Sequence, residues 1–239
     1  MMSRLPKKIS PNPLISSTIE IRFSSTLSSD ETLSAIRPKF DREFPNLQKR
    51  NLPIEKENIP ELEYTAEYIL SNDDYLVFID KNVIAFENKR EYPLWDNYYQ
   101  MIKRNLQLLS DTITINKIIR IGLRYVSSFD VVEKLSDSFK FGFDAPLPDY
   151  KLENELFRTQ LSNKEINILL HLVKNAQIEQ NDSNQKRTLV DIDISQSTYL
   201  PFSIGDTLFT IIQKLHTEEK KLFFSLLRED FLEKLNCEY

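Results

Sequence analysis

NKIIRIGLRYVSSF, residues 116–129, alternates apolar and polar side chains, as a strand with one buried face does. The apolar face of this predicted strand carries Ile119, Ile121, Leu123 and Tyr125. The opposite face carries Arg120, Gly122 and Arg124, so two arginines flank one of only three glycines in the chain. This face predicts either a surface for an anionic or acidic partner, or a solvated face whose arginines pair with acidic residues of neighbouring strands.

The same alternation recurs along the chain and is interrupted by helical spacing. Strands are predicted at 17–24, 61–70, 75–80, 83–88, 140–144, 153–161, 165–176 and 186–195, and residues 180–185 read as a polar loop. Helices are predicted at 29–37, 92–111, 207–216 and 218–235, the last two capped by Asp206 and Thr217. Strands in runs with helices at intervals predict an α+β fold, a curved, mainly antiparallel sheet with helices packed on one face.

The chain is long enough for one large domain. Residues 1–12 are predicted to be a flexible lead-in, and 13–239 a single α+β domain containing a long connection at 41–60. The halves 13–112 and 113–239 share a β-α-β-β-β-α order, which is a hint of internal duplication without a residue-level repeat.

Composition excludes several classes of protein. Average usage of about 7% would give about 17 glycines, and the closest two here, Gly122 and Gly142, are 20 positions apart. Phosphate-binding loops and nucleophile elbows need closely spaced glycines, so nucleotide sites of those kinds are excluded. With two histidines far apart and a single cysteine, Cys237, no structural zinc site and no cofactor is expected.

Charge and cysteine usage indicate a compartment. The net charge of −5 gives no global attraction to nucleic acid or anionic lipid. A lone cysteine forms no internal disulfide, and no apolar run reaches the roughly 18 to 20 residues of a membrane-spanning helix. The first ten residues lack the apolar core of a signal peptide. A cytoplasmic protein without membrane contact is expected.

Several motifs carry a family resemblance. NPLISSTIEIRF, LVFIDKNVIAFENKREYPLWDNYYQMIK, IIRIGLRYVSS, LVDIDI and LHTEEKKLFFSLLREDFLEKL occur in this order. Together they resemble a sporadically distributed family of uncharacterised bacterial proteins of about 250 residues, with Tyr-x-x-Trp and Leu-Arg-Tyr motifs. The matching positions are Asn12, Pro13, Arg22, Phe23, Tyr92, Trp95, Leu123, Arg124, Tyr125, His216 and Phe223 or Phe224. The resemblance implies no activity, and its patchy distribution is that of phage-defence or toxin–antitoxin genes.

The arginines and two aspartates are the main candidate site residues. Arg120 and Arg124, about 13 Å apart along the strand, could hold an extended anion or an acidic peptide, or pair with Glu61, Glu63, Glu67, Asp191 or Asp193. Asp191 and Asp193 share one face of their strand at about 6 to 7 Å. With a third acid they could bind Mg²⁺ for hydrolysis, and otherwise they are solvated.

The aromatic cluster and the histidines have less specific interpretations. Trp95 and Tyr98 could stack on bases or form part of a partner interface, although such a cluster is more often the core packing of a helix on a sheet. His171 is expected to be a structural, hydrogen-bonded histidine. His216 is expected to cap a helix C-terminus.

The sequence favours a non-enzymatic binding or accessory module that acts through protein–protein contacts. Its predicted binding surface comprises Arg22, Arg120, Arg124, Trp95 and Tyr98. Two alternatives stay open: a metal-dependent hydrolase or nuclease using Asp191 and Asp193, and a nucleic-acid sensor using Arg120 and Arg124. Neither the partner nor the oligomeric state follows from the sequence.

Overall fold

A computed structural model describes residues 5–53, 56–60, 62–142, 153–180, 183–197 and 204–239. The strands are β1 (Lys8–Ser10), β2 (Leu14–Ser24), β3 (Asn46–Lys49), β4 (Tyr68–Ser71), β5 (Tyr75–Ile79), β6 (Val83–Asn88), β7 (Lys117–Phe129), β8 (Leu156–Ser162), β9 (Ile166–Gln180), β10 (Ser183–Ser197) and β11 (Asn236–Glu238). The helices are α1 (Ser29–Phe40), α2 (Trp95–Ser110), α3 (Leu135–Ser138), α4 (Asp206–Leu226) and α5 (Glu229–Leu232). Among these described residues, no helix has both the length and the apolar character needed to cross a bilayer.

Nine of the strands form one sheet in the order β3-β4-β5-β6-β2-β7-β10-β9-β8, and β1 pairs with β11 separately. The pairs β2–β6, β3–β4, β4–β5, β5–β6, β8–β9 and β1–β11 are antiparallel. The predicted α+β class with a mainly antiparallel sheet is therefore confirmed.

The two halves of the sequence place their strands in the same internal order. In the first half β4, β5 and β6 are followed in the sheet by β2, the strand that comes earliest in the chain. In the second half β8, β9 and β10 are followed in the same way by β7. A helix follows the first strand and another follows the last strand of each half. The β-α-β-β-β-α order predicted for both halves is thus present, with β3 added to the first.

The chain divides into two compact units. The first draws its described residues from Met1–Ile15, Arg124–Ile194 and His216–Tyr239, and the second from Ser16–Leu123 and Ser195–Leu215. β2, β7, β10 and α4 each contain residues of both units.

In the second unit α1 and α2 pack on the same face of the sheet. Tyr68, Leu70, Val77 and Ile79 are buried on this face, and Tyr68 donates a hydrogen bond to Asp30 of α1. Tyr98 of α2 stacks on Tyr75, whose side chain points to the same side as that of Val77. Burial of these apolar side chains drives the packing.

In the first unit the helices pack on the face of β9 and β10 opposite to His171 and Asp191. The buried cluster there comprises Ile9, Phe129, Leu135, Phe139, Leu170, Leu172, Val190, Ile192, Phe223, Leu226 and Leu227. Side chains alternate along a strand, so the intervening residues of β9 and β10 point away from these helices. We call that second face the outer face of the first unit.

Several element boundaries differ from those predicted. Within the described part of the predicted strand 61–70, β4 begins only at Tyr68, because residues 62–64 form a turn in which Leu62 and Glu63 donate backbone hydrogen bonds to Ile59. The predicted lead-in contains β1, whose Ile9 is buried and lies opposite Cys237. The predicted connection 41–60 contains β3, whose four exposed residues give no alternation to detect.

Two stretches in the second half differ as well. Residues 140–142 of the predicted strand 140–144 are irregular, and the remainder lies outside the described residues. The predicted polar loop 180–185 contributes its ends to β9 and β10, and 181–182 lie outside the described residues.

The helix predicted to end by Arg37 continues to Phe40. Pro38 removes one backbone donor, but Ile36 and Phe40, four residues apart, are both buried, and the Asp41 N–H donates to the Arg37 carbonyl at 2.9 Å. The N-cap is Ser28, in a capping box with Glu31, rather than Ser29 or Asp30.

The two helices predicted at 207–216 and 218–235 are one continuous helix, α4, followed by the short α5. His216 and Thr217 therefore lie inside a helix, and the prediction that they cap adjacent helices is wrong. Instead, His216 Nδ1 lies 3.2 Å from the Tyr125 hydroxyl.

Candidate binding surface

β7 separates an apolar face from a polar one, as its alternation predicts. Ile121, Leu123 and Tyr125 are buried, whereas Arg124 is exposed. Ile119 is only half-buried. The apolar side of this strand therefore belongs to the core, and Arg120, Gly122 and Arg124 lie on its other side.

Arg120 and Arg22 share one carboxylate in the second unit. Arg120 Nη1 and Arg22 Nε each lie 2.7 Å from Oε1 of Glu20. The guanidinium of Arg22 also lies over the ring of Tyr64, with Cζ 4.2 Å from the centroid. Only 29% of the Arg22 side chain and 20% of the Arg120 side chain are exposed. Both arginines are thus largely covered, and each pairs with Glu20, a carboxylate that was not among those expected from the sequence.

Gly122 makes room for Arg120. A Cβ atom at Gly122 would lie 3.0 Å from Cζ of Arg120 and 3.2 Å from Nη2, and would overlap Nη1. Residues 120 and 122 point to the same face, so the guanidinium folds over the glycine. The glycine between the arginines therefore has a packing role and is not evidence of a ligand site.

Arg124, in the first unit, forms a different ion pair. Its Nε and Nη2 donate to the two carboxylate oxygens of Asp191 at 2.9 and 2.8 Å, a bidentate arrangement. The Arg124 side chain is 57% exposed, whereas that of Asp191 is 15% exposed. His171 Nδ1 lies 3.7 Å from Oδ2 of Asp191, so β7, β10 and β9 each contribute one of these side chains.

Arg158 extends this series to the end of the sheet. Strand register places Arg158 of β8 directly opposite His171 of β9. We call this set of side chains the charged row: Arg124, Asp191, His171 and Arg158. Within the described part of the chain, Arg158 is exposed and forms no ion pair or hydrogen bond. His171 Nε2 is buried and unpaired within the same residues.

Apolar side chains border the charged row on the outer face of the first unit. Leu156 lies opposite Val173, two residues from Arg158 and His171, and is 72% exposed. Leu189 and Val126, two residues from Asp191 and Arg124, are half-buried. Leu156 is the most exposed large apolar side chain in the described part of the chain, and it lies beside Arg158.

Asp193 is half-buried and has interactions of its own. Within the described residues, no group of three or more His, Cys, Asp or Glu side chains has the arrangement of a metal site. Both oxygens of Asp191 accept hydrogen bonds from Arg124. A metal at Asp191 and Asp193 would have to displace this guanidinium.

The two aromatic candidates lie in packed positions. Tyr98 is fully buried, with its hydroxyl 2.6 Å from the Phe86 carbonyl and 2.9 Å from the Ser17 carbonyl. Burial raises the pKa of this phenol. Tyr98 is therefore a core residue and not part of a binding surface. Trp95 donates through Nε1 to Gln213 at 2.8 Å and stacks on Tyr99 at 5.4 Å.

Two ionisable groups on α4, the half-buried His216 and the buried Glu219, are the other unusual feature of the first unit. Burial lowers the pKa of His216 to about 3, and the nearby Lys220 acts in the same direction. Burial raises the pKa of Glu219 to about 8. At neutral pH both of these side chains of α4 are therefore mainly uncharged.

Sequence reasoning missed Arg158 and Leu156 as surface residues. The alternation of 153–161 was visible, but which strand lies beside it depends on the sheet order. That order results from pairing between distant segments.

No protein-family model matches this chain, and no curated protein matches it. The resemblance to the sporadically distributed bacterial family therefore stays a prediction.

Proposed function

We propose that the protein is a non-enzymatic binding module whose outer face in the first unit contacts another protein. The observation that carries this proposal is the charged row, which ends in the exposed Arg158, unpaired within the described residues, beside the exposed Leu156. A charged group bordered by apolar side chains is typical of the rim and core of a protein interface. The lone cysteine is in keeping with a reducing compartment, and we place this function in the cytoplasm.

The proposed contact surface therefore lies on a different part of the sheet from most of the surface that the sequence predicted. Arg22 and Arg120 are satisfied by Glu20, so a partner would have to compete with an existing ion pair to reach them. Arg124 keeps more than half of its side chain exposed while Asp191 fixes its position. A preorganised guanidinium loses less conformational entropy on binding, which favours recognition.

The charge pattern supports a protein partner over a nucleic acid. Asp191 lies between Arg124 and His171, and its carboxylate would face a neighbouring phosphate. A nucleic-acid surface is expected to present an uninterrupted series of cations. Acidic and apolar side chains of a protein complement Arg158 and Leu156 together.

The test is quantitative capture of the partner from the native host by the full chain. The test variant is Arg124→Glu/Arg158→Glu, which reverses two charges of the row. The matched control is Arg90→Glu, which reverses an exposed arginine whose guanidinium lies 4.0 and 3.5 Å from Asp73 and Asp74. A captured protein is then purified and its complex reconstituted from the two components.

The proposal predicts a stoichiometric complex that the double reversal weakens at least tenfold and that Arg90→Glu leaves unchanged. It is wrong if no stoichiometric complex forms, or if both variants bind as the wild type does. Tight binding of DNA or RNA at low salt that depends on Arg124 would instead favour the sensor.

A further inference from the structure

β8 ends the nine-stranded sheet. The sheet order places it last, next to β9, and within the described residues β9 is the strand with which it pairs. Five of its seven residues are exposed. The end of a sheet presents unpaired backbone groups to which an additional strand can bind.

The hydrogen-bond pattern identifies the residues that point to the open edge. The Lys174 N–H donates to the Glu155 carbonyl, and the Asn163 N–H donates to the Ile166 carbonyl. Hydrogen-bonded and non-hydrogen-bonded pairs alternate along an antiparallel ladder. The odd-numbered residues of β8 therefore bond to β9, and Leu156, Arg158, Gln160 and Ser162 direct their N–H and C=O groups to the edge.

The same four residues place their side chains on the outer face. Arg158 lies opposite His171, which belongs to the charged row, whereas Phe157 packs against the buried cluster on the other face. The backbone groups at the edge and the side chains of Leu156 and Arg158 thus belong to the same residues. An added strand would meet both at once.

We propose that the partner adds an extended strand to the edge of β8. The strand carries an acidic residue opposite Arg158 and an apolar residue opposite Leu156. This inference rests on the proposed function, because it names how a protein partner binds that face. Main-chain hydrogen bonds supply affinity in such a complex, and the alternate side chains supply specificity.

Charge complementarity distinguishes this partner from a second copy of the chain. The outer-face residues of β8 are Leu156, Arg158, Gln160 and Ser162, none of them acidic. Whichever register two β8 strands adopted in a symmetric antiparallel pair, Arg158 would meet no carboxylate from the other β8. An acidic strand of another protein supplies the missing charge.

The probe is a display library of random twelve-residue peptides, selected on the full chain. Enriched peptides are synthesised and their dissociation constants measured. Gln160→Pro removes one outward N–H without removing a bond to β9, so the fold should tolerate it. Gln160→Ala is the control, since it removes the same side chain and keeps the N–H. Circular dichroism melting verifies folding.

We expect enriched peptides with an acidic residue two positions from an apolar one. Gln160→Pro should weaken binding about tenfold or more, and Gln160→Ala less than about threefold. Arg158→Glu should weaken binding to a similar extent. Replacing the acidic residue of the peptide by lysine should restore binding to Arg158→Glu, a result that stands even where Gln160→Pro fails to fold.

The inference is overturned if Gln160→Pro and Gln160→Ala bind equally, if the charge exchange restores nothing, or if no specific peptide is enriched. A stoichiometric partner that depends on Arg124 but binds Gln160→Pro normally would refute strand addition and leave the proposed function standing. Absence of both partner and peptides would refute both.

Discussion

Gly122 leaves room in β7 for the side chain of Arg120, two residues away. The Arg120 guanidinium lies over it and reaches Glu20 from there. The sequence predicted the two faces of this strand but not this packing, because alternation shows on which face Gly122 lies and not which side chain covers it.

Gly122→Ala should therefore act through Arg120. In the wild type the new methyl group displaces the guanidinium, weakens its bond to Glu20 and lowers the free energy of unfolding by about 1 kcal/mol. In an Arg120→Ala background the same change should raise it by about 0.5 kcal/mol, since alanine is better than glycine in a strand. Urea unfolding of the four proteins measures the coupling, and additivity would contradict this explanation.

The buried carboxylate of Asp80 holds in place the segment that precedes β4. Fully buried, it accepts from Lys56 Nζ, from Ser29 Oγ and from the Glu67 N–H, the last at 2.9 Å. The Lys56 side chain also donates to the Thr65 carbonyl at 2.8 Å. A buried ion pair thus holds the turn at 56–67 against the end of β5. The sequence predicted a strand here because its residues alternate, whereas this long-range pair stabilises a turn.

Asp80→Asn should lower the free energy of unfolding by about 3–5 kcal/mol, because it leaves the Lys56 ammonium buried without its counter-ion. Asp191→Asn removes the acid of an ion pair whose arginine is mostly exposed, and should cost less than about 1 kcal/mol. Urea denaturation compares the two variants. Equal losses would mean that burial does not distinguish these ion pairs.

At the scale of the element, α4 is the clearest departure from the sequence prediction. Its buried positions include Leu208, Ile212, Leu215, Glu219, Phe223 and Leu226. Thr217 is of a residue type that caps helices, so the sequence predicted two helices with a boundary there. Tertiary packing buries side chains on both sides of this boundary, Glu219 among them, and the helix continues through it.

Glu218→Pro distinguishes one helix from two. At the start of a separate helix proline is tolerated, but inside α4 it removes a backbone hydrogen bond and should cost about 3 kcal/mol. Thr207→Pro is the matched control, because Phe209 donates to the Gly205 carbonyl in the first turn of α4, whereas the Thr207 N–H donates to no residue that the structure describes. Thermal melting with circular dichroism checks both. A tolerated proline at 218 would restore the two-helix interpretation.

At the scale of the whole molecule, the sequence predicted the fold class and the main helices and strands of both halves, but not α3 or the short strands β1, β3 and β11. Alternation and helical spacing are local, and they decide which face of an element is buried. The surface was predicted less well. Whether Arg22, Arg120 or Arg124 is open to a partner depends on which acidic side chain lies across the strands, and that is set by strand order.

Two groups on α4, His216 and Glu219, change the free energy of unfolding with pH in opposite directions. His216, with its pKa lowered to about 3, is neutral in the folded protein while the unfolded chain, near 6.5, binds a proton. This group therefore makes stability rise with pH between about 3 and 6.5. Glu219, with its pKa raised to about 8 against 4.5, keeps its proton in the folded protein, so stability falls between about 4.5 and 8.

The two contributions nearly cancel between pH 4.5 and 6.5, and the loss from Glu219 remains up to pH 8. Glu219→Gln should remove that loss, so the difference in free energy of unfolding between variant and wild type should grow by up to about 1.4 kcal/mol per pH unit from 6.5 to 8. Urea unfolding at half-unit steps measures it, with Glu218→Gln, the half-exposed neighbour, as the control. A difference that does not change with pH would mean that Glu219 ionises normally in the folded protein.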